Sequence, residues 1–141
     1  MALQPYFSDE AARAQCDAVA ALCNGGTIKV YDGAKPTDAN TAVGSQNLLG
    51  TFSFSATAFG ASACTGTAPN RKAVATANAI ADIVAVYTAT ATWFRAFKSN
   101  GTAAVYDGTV GLSGCDLNLT DITLTVDEAM SVTSLTLSAP E

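Results

Sequence analysis

From Thr27 onward the apolar residues of the chain recur at every second position. Ile28 and Val30 alternate with Thr27, Lys29 and Tyr31; Phe52 and Phe54 with Thr51, Ser53 and Ser55; Ile122, Leu124 and Val126 with Thr123 and Thr125; Leu135 and Leu137 with Ser134 and Thr136. Successive side chains of a strand point to opposite faces, so each run predicts a strand with one apolar face and one Thr/Ser face. Several short strands of this kind between turn signals predict antiparallel sheets packed on one side, as a β-sandwich or a jelly-roll-like barrel. The longest predicted strand is YTATATWFRAFK, Tyr87 to Lys98, which runs into Ser99-Asn100-Gly101 and out along TAAVYD. Asn-Gly between two strand patterns predicts a hairpin with a type I′ turn. Residues 73–86 mix alanine with branched residues and are read as extended chain.

The N-terminal part has a different period. Ala12, Cys16, Val19 and Cys23, with Ala20 alongside, mark one face of a helix from Ser8 to Cys23. Ser8 is placed to cap it, Asp9 and Glu10 sit at the positive end of its dipole, and Asn24-Gly25-Gly26 ends it. Before it, Tyr6 and Phe7 follow Pro5 as an aromatic arm, either a staple onto the helix or an anchor in a partner subunit. Two polar stretches without an apolar period, Pro36 to Asn47 and Gly60 to Lys72, are long enough to be contact arms. The expected fold is mainly β with one N-terminal α-helix, as a single domain over residues 1–141: arm and helix at 1–25, β domain at 26–141.

One octamer pattern occurs twice, as GTIKVYDG (Gly26 to Gly33) and GTAAVYDG (Gly101 to Gly108). The flanking sequences are unrelated, which excludes a duplicated domain. The shared expectation is a chain leaving an Asn-Gly corner into a short strand and ending in an Asp-Gly bend with positive φ. Val30 and Val105 would fill the core, and Tyr31 and Tyr106 would lie on the less buried sides, open to a neighbouring subunit.

Composition narrows the function. Charged residues make up 13% of the 141, about half the usual share, and the net charge is −5 with the seven Lys and Arg scattered. Such a chain does not grip phosphate backbones, so direct nucleic-acid binding is not expected. MALQPYFSDEAARAQ has no basic region leading an apolar one, and the most apolar stretch, residues 73–94, carries Asp82, Asn78 and many threonines. A soluble protein with no membrane partner is the expectation.

Chemistry is sparse. There is no histidine, no GxSxG and no CxxC, so neither an enzyme nor a cofactor or metal site is expected. Asp32, Asp107, Asp116, Asp121 and Glu128 could supply a carboxylate pair, but they are read as turn formers, Asp32 and Asp107 standing next to glycines. DLNLTD, Asp116 to Asp121, lacks the glycine and distal glutamate of a calcium loop and is likewise read as a turn. Cys16, Cys23, Cys64 and Cys115 are read as thiols; the first two, roughly 10 Å apart along one helix, cannot bridge each other.

Taken in order, DAVAALCNGGTIKVYDGAKPTDANTA, LLGTFSFSATAFGA, VATANAI, TATWFRAFKSNGTAAVYDGTVGLSGCDLNL and SVTSLTLSAP make the chain resemble a family of small phage and prophage proteins. In that family a helix ending in Asn and Gly leads into IYxGxxP, then a WFR or FFR strand, a DG turn, DGxVG, DLxL and a final VTSxTxxxP strand. The family is similar to virion structural proteins, capsid-decorating or cement proteins among them. The resemblance implies a virion protein assembled in the host cytoplasm, with the major capsid protein and copies of itself as partners. Tyr6, Phe7, Tyr31 and Tyr106 would be interface residues. A tail or neck subunit is the alternative, and a carbohydrate-binding sandwich stacking Trp93, Tyr31 and Tyr106 on sugars is a third reading. Two stretches depart from the family pattern: Cys64 to Ala73 looks like an insertion, and Val126-Asp127-Glu128-Ala129 stands where a glycine-centred turn is usual.

Overall fold

The computed structural model describes residues 6–67 and 71–140. Its first element is α1 (Asp9–Leu22), capped by Ser8, whose hydroxyl accepts from the Ala11 N–H at 3.2 Å. The inward stripe is Ala12, Cys16 and Ala20, small side chains that let the helix lie close on a sheet. Pro5, which opens the aromatic arm, lies outside the described residues.

The rest is β structure: β1 (Thr27–Tyr31), β2 (Leu48–Ser53), β3 (Ala63–Thr65), β4 (Lys72–Thr76), β5 (Ile83–Val84), β6 (Ala89–Thr90), β7 (Trp93–Phe97), β8 (Ala104–Gly111), β9 (Leu117–Leu119), β10 (Thr123–Leu124), β11 (Ala129–Met130) and β12 (Val132–Pro140). Mainly β with one helix is therefore the class the chain adopts. Eight strands form one sheet in the order β2-β1-β7-β8-β9-β12-β4-β3, and β10·β6 and β11·β5 are separate two-stranded ladders. The large sheet is mixed, not wholly antiparallel, because β9 runs parallel to β8. Asp116 makes that short return possible: its carboxylate accepts from the Thr109 N–H and hydroxyl at 3.0 and 3.1 Å. Asn118 pins the intervening loop through the Cys115 N–H and carbonyl.

The sheet cannot be flat. Its eight strands, about 4.8 Å apart, would set its edges roughly 34 Å apart. Yet the chain passes from Ser53, the end of edge strand β2, to Phe59, bridged to Ala77 beyond β4, over a stretch whose reach is at most about 21 Å. The sheet therefore curls toward itself, and the second polar stretch, expected to lack structure, supplies its far edge as β3. Residues 68–70, in the tip of that stretch, are not described.

The interior is continuous from α1 to the ladders. Cys16 and Cys23 from the helix share it with Ile28, Val30, Phe52, Phe94, Leu117, Leu135 and, from the ladders, Leu124 and Met130. Phe52, Phe54, Leu135 and Leu137 point inward as their alternation requires. The expected long strand from Tyr87 is broken at Ala91 and Thr92, where the chain leaves the β10 ladder for the large sheet: Ala91 N–H donates to Ile122 O, and Thr92 N–H to Tyr31 O. Alternation continues through that corner, so periodicity alone cannot mark it.

The two octamers prove to be the same letters in opposite jobs. In the first, Gly26 is required by contact, since a Cβ there would lie 1.9 Å from the Phe97 carbonyl oxygen, and Gly33 is required by its φ of +73°. In the second, Gly101 has φ +75° with open space around it, whereas Gly108 lies inside β8 with ordinary φ, its absent Cβ 2.5 Å from the Phe94 ring. The expected second Asp-Gly bend is thus a straight strand that glycine lets pass over an aromatic ring. The turn at Asn100-Gly101 is not the expected I′ type: Asn100 keeps negative φ, Gly101 N–H donates to Lys98 O, and Lys98 N–H donates to Ala103 O around a wider loop.

This contrast has a measurable form. Gly101→Ala should cost about 1–2 kcal/mol from left-handed backbone alone, and Gly101→Asn should recover most of it because Asn tolerates that region. Gly108→Ala should cost about 1–3 kcal/mol from overpacking, with Gly108→Asn worse still. Urea denaturation midpoints of the four variants would separate the two causes.

Candidate functional site

β7 is the only strand of the large sheet whose five residues are all buried. It lies between β1 and β8, in register so that Lys29, Arg95 and Asp107 form one row across the three strands and Val30, Phe94 and Gly108 another. Phe94 and Ala96 face the core. Trp93, Arg95 and Phe97 face the other way, where a sheet would ordinarily meet solvent.

The first polar stretch covers that second face. It is an Ω-shaped loop closed at its base by Asp32, whose carboxylate accepts from the Asn47 N–H at 2.6 Å and from the Asn47 amide at 3.0 Å. Asp32 N–H in turn donates to Asn47 O. The loop then folds over β7: Trp93 Nε1 donates to Asp32 O at 3.0 Å, and an Arg95 terminal nitrogen donates to Asp38 O at 3.2 Å. Arg95 is a buried charge, 4% exposed, held by a two-pronged pair with Asp107 (2.6 and 2.9 Å). Its guanidinium also lies 5.5 Å from the Trp93 ring centre.

Protonation follows from these contacts. The Asn47 side chain, then its N–H, hold the Asp32 carboxyl below the usual 3.8. The Thr41 hydroxyl and the Asn40 and Thr41 N–H groups do the same for Asp38. The hydrogen bonds that Arg95 donates to Asp107 push its pKa further up, so it stays charged. Burial pushes the Cys23 thiol up to about 11, and all four cysteines are free thiols.

The carboxylates singled out from sequence form no pair with each other. Asp121 and Glu128 each accept a backbone N–H of their own turn, as expected of turn formers, whereas Asp32 reaches across a loop to Asn47 and Asp116 holds Thr109 in β8. Asp107 also corrects that reading, being the strand partner of Arg95. The pairing was not legible from the turn alone: Phe97 pairs with Ala104 but Ala96 with Tyr106, so a bulge passes over Val105 and brings Asp107, instead of Tyr106, opposite Arg95. Among the described residues no group of three or more His, Cys, Asp or Glu is arranged to hold a metal.

The four aromatic interface candidates divide. Tyr6 is 71% exposed and Phe7 38%, so the arm presents both rings outward. Tyr31 is not open to a neighbour; it is buried and stacked on Trp93, ring centres 4.6 Å apart. Tyr106 faces the core edge-on to Phe94 at 5.5 Å, its hydroxyl without a partner among the described residues, and burial pushes its pKa well above 10. The physical reason is position: both tyrosines flank the doubly buried β7, where Tyr31 meets Trp93 on the covered face and Tyr106, beside Ala96, packs on the core side against Phe94. Val30 fills the core as expected, while Val105 is only partly buried. With Trp93 also inside, the aromatics that a sugar-stacking surface would need are not at the surface.

What sequence periodicity missed is the exposed apolar surface elsewhere. Val84, Val86, Tyr87 and Val126 are 53%, 60%, 44% and 47% exposed and gather where the β5·β11 ladder meets the chain leading into β6. Val126 belonged to a predicted inward face, but β10 ends at Leu124 and a turn carries Val126 outward. No helix among the described residues is long and apolar enough to cross a membrane. No protein-family model, curated protein or solved structure matches the chain.

Two outcomes test the covered face. Asp107→Asn should cost about 3–5 kcal/mol by leaving Arg95 buried without its counter-charge, and Arg95→Met with Asp107→Leu should restore most of it in urea denaturation. Because the folded state depresses the Asp32 pKa, its contribution is full above 3.8 and is lost as pH falls through the lower folded value. Acidification below 3.8 should red-shift Trp93 emission and open it to acrylamide as the loop base releases, and Asp32→Asn should flatten that transition.

Proposed function

We propose that the chain is a bacteriophage virion structural protein, and in its most specific form a decoration or cement protein seated on the shell of major capsid subunits. The observation that carries this reading is where the large apolar side chains lie. The interior aromatics are committed to the core and to the covered face of β7, while Tyr6, Phe7 and the Val84, Val86, Tyr87 and Val126 group stand exposed on a small domain with few charges. Clustered exposed apolar residues of this kind suit permanent contact with other proteins. The ordered motif series, whose resemblance is to phage and prophage virion proteins, supports the same reading. Catalysis forms no part of it: the candidate carboxylates are engaged by backbone N–H groups or by Arg95.

In this role the protein would bridge neighbouring shell subunits, so that rupture has to separate buried interface first. The alternative keeps the virion and moves the protein to the tail or neck. Protein quantification in purified virions separates them. A decoration protein should be present in hundreds of copies, in proportion to the shell subunit; about a dozen or fewer would place it at the tail or neck, where symmetry is low-order. Absence from the particle would overturn the virion reading altogether.

A further inference from the structure

The exposed apolar group has an edge of one charge sign. Val84 pairs with Ala129, and the pairing continues beyond the ladder, with Ala85 N–H donating to Glu128 O and Asp127 N–H to Ala85 O. Ala85, between Val84 and Val86, is buried, so the two valines point outward together. Val126 N–H donates to the Thr88 hydroxyl at 3.0 Å, which brings Val126 beside Val86 and Tyr87. Asp82, Asp127 and Glu128 border this surface, and the sequence has no Lys or Arg between Lys72 and Arg95 or after Lys98.

The turn that raises Val126 has a second peculiarity. Glu128 N–H donates to Thr125 O, and the third residue of that turn, Asp127, has φ +70°, the only positive φ of a non-glycine among the described residues. Glycine takes that conformation without cost, and aspartate does not. Aspartate is one of the few side chains that enter that region, and here it holds an exposed carboxylate at the tip beside the apolar surface.

We propose that the surface formed by Val84, Val86, Tyr87 and Val126 docks on a protein whose own contact patch is apolar with a Lys/Arg rim, Asp127 making the rim contact. The proposal rests on the decoration reading, in which that partner is a shell subunit. Charge complementarity selects the occupant. A second copy related by a two-fold axis would set acid against acid, and phosphate-bearing surfaces would be repelled.

The test uses the full chain and shells assembled from the major capsid subunit of the same genome, with co-sedimentation at low and high salt. Wild type should bind, less tightly as salt rises. Val86→Asp should weaken binding by roughly tenfold or more. Asp127→Gly should melt no lower than wild type, yet bind more weakly and with less salt dependence. Wild-type levels of binding in Asp127→Gly and in a folded Val86→Asp would overturn this docking surface while leaving the virion reading intact, the more so if Phe7→Ala abolished binding. Failure of wild type to bind shells would overturn the decoration reading and the docking surface with it, and favour the tail or neck. Self-association of wild type that Val86→Asp abolished would assign the surface to a second copy and overturn the proposed partner.

Discussion

A strand in the middle of a sheet that is buried on both faces needs a cover for each, and β7 imposes that requirement on the whole molecule. Its core face joins one continuous set of apolar side chains, to which the two ladders contribute and which α1 closes where it packs on β3, β4 and β12. Its other face carries Trp93, Arg95 and Phe97, and is closed by a loop with no regular secondary structure, held by hydrogen bonds to Asp32 and Asp38 carbonyls. Both tyrosines of the repeated octamer are drawn inside by the same requirement, because β1 and β8 are the strands that flank β7.

The buried ion pair on that face contributes more to register than to net stability. Two apolar residues of similar size would avoid the desolvation cost of Arg95 and Asp107. A one-residue slip of β8 against β7, however, turns Asp107 to the core side and leaves Arg95 buried beside carbonyls and a ring. That alternative is far less stable than the native pairing, so the pair acts as a key to the register of the hairpin. Gly108 adds a second key, since only its position on β8 lets the strand pass over Phe94.

Local chemistry was legible from sequence and partner exchange was not. The Ser8 cap, the inward Ala12/Cys16/Ala20 stripe, the inward Phe52, Phe54, Leu135 and Leu137, and the turn roles of Asp121 and Glu128 all follow from spacing and side-chain type. Alternation reports which way a side chain points, not which strand lies beside it. It therefore ran unbroken through the corner at Ala91 and hid both ladders, and with them the exposure of Val126. The octamer shows the complementary limit: glycine answers two different physical needs, positive φ and close approach, and the letter is the same for both.

The loop over β7 has a consequence for what the chain can carry. Its two ends are joined at Asp32 and Asn47, and its covering contacts come from Asp32 and Asp38, so the tip beyond Thr41 is exposed and anchored by neither. Extra chain inserted near Ala42 would lengthen a loop already closed at its base, and closure entropy grows by only about 0.6 kcal/mol for each doubling of length. The tip is a natural port for displaying foreign peptides, each copy of the protein presenting one without disturbing the strand beneath.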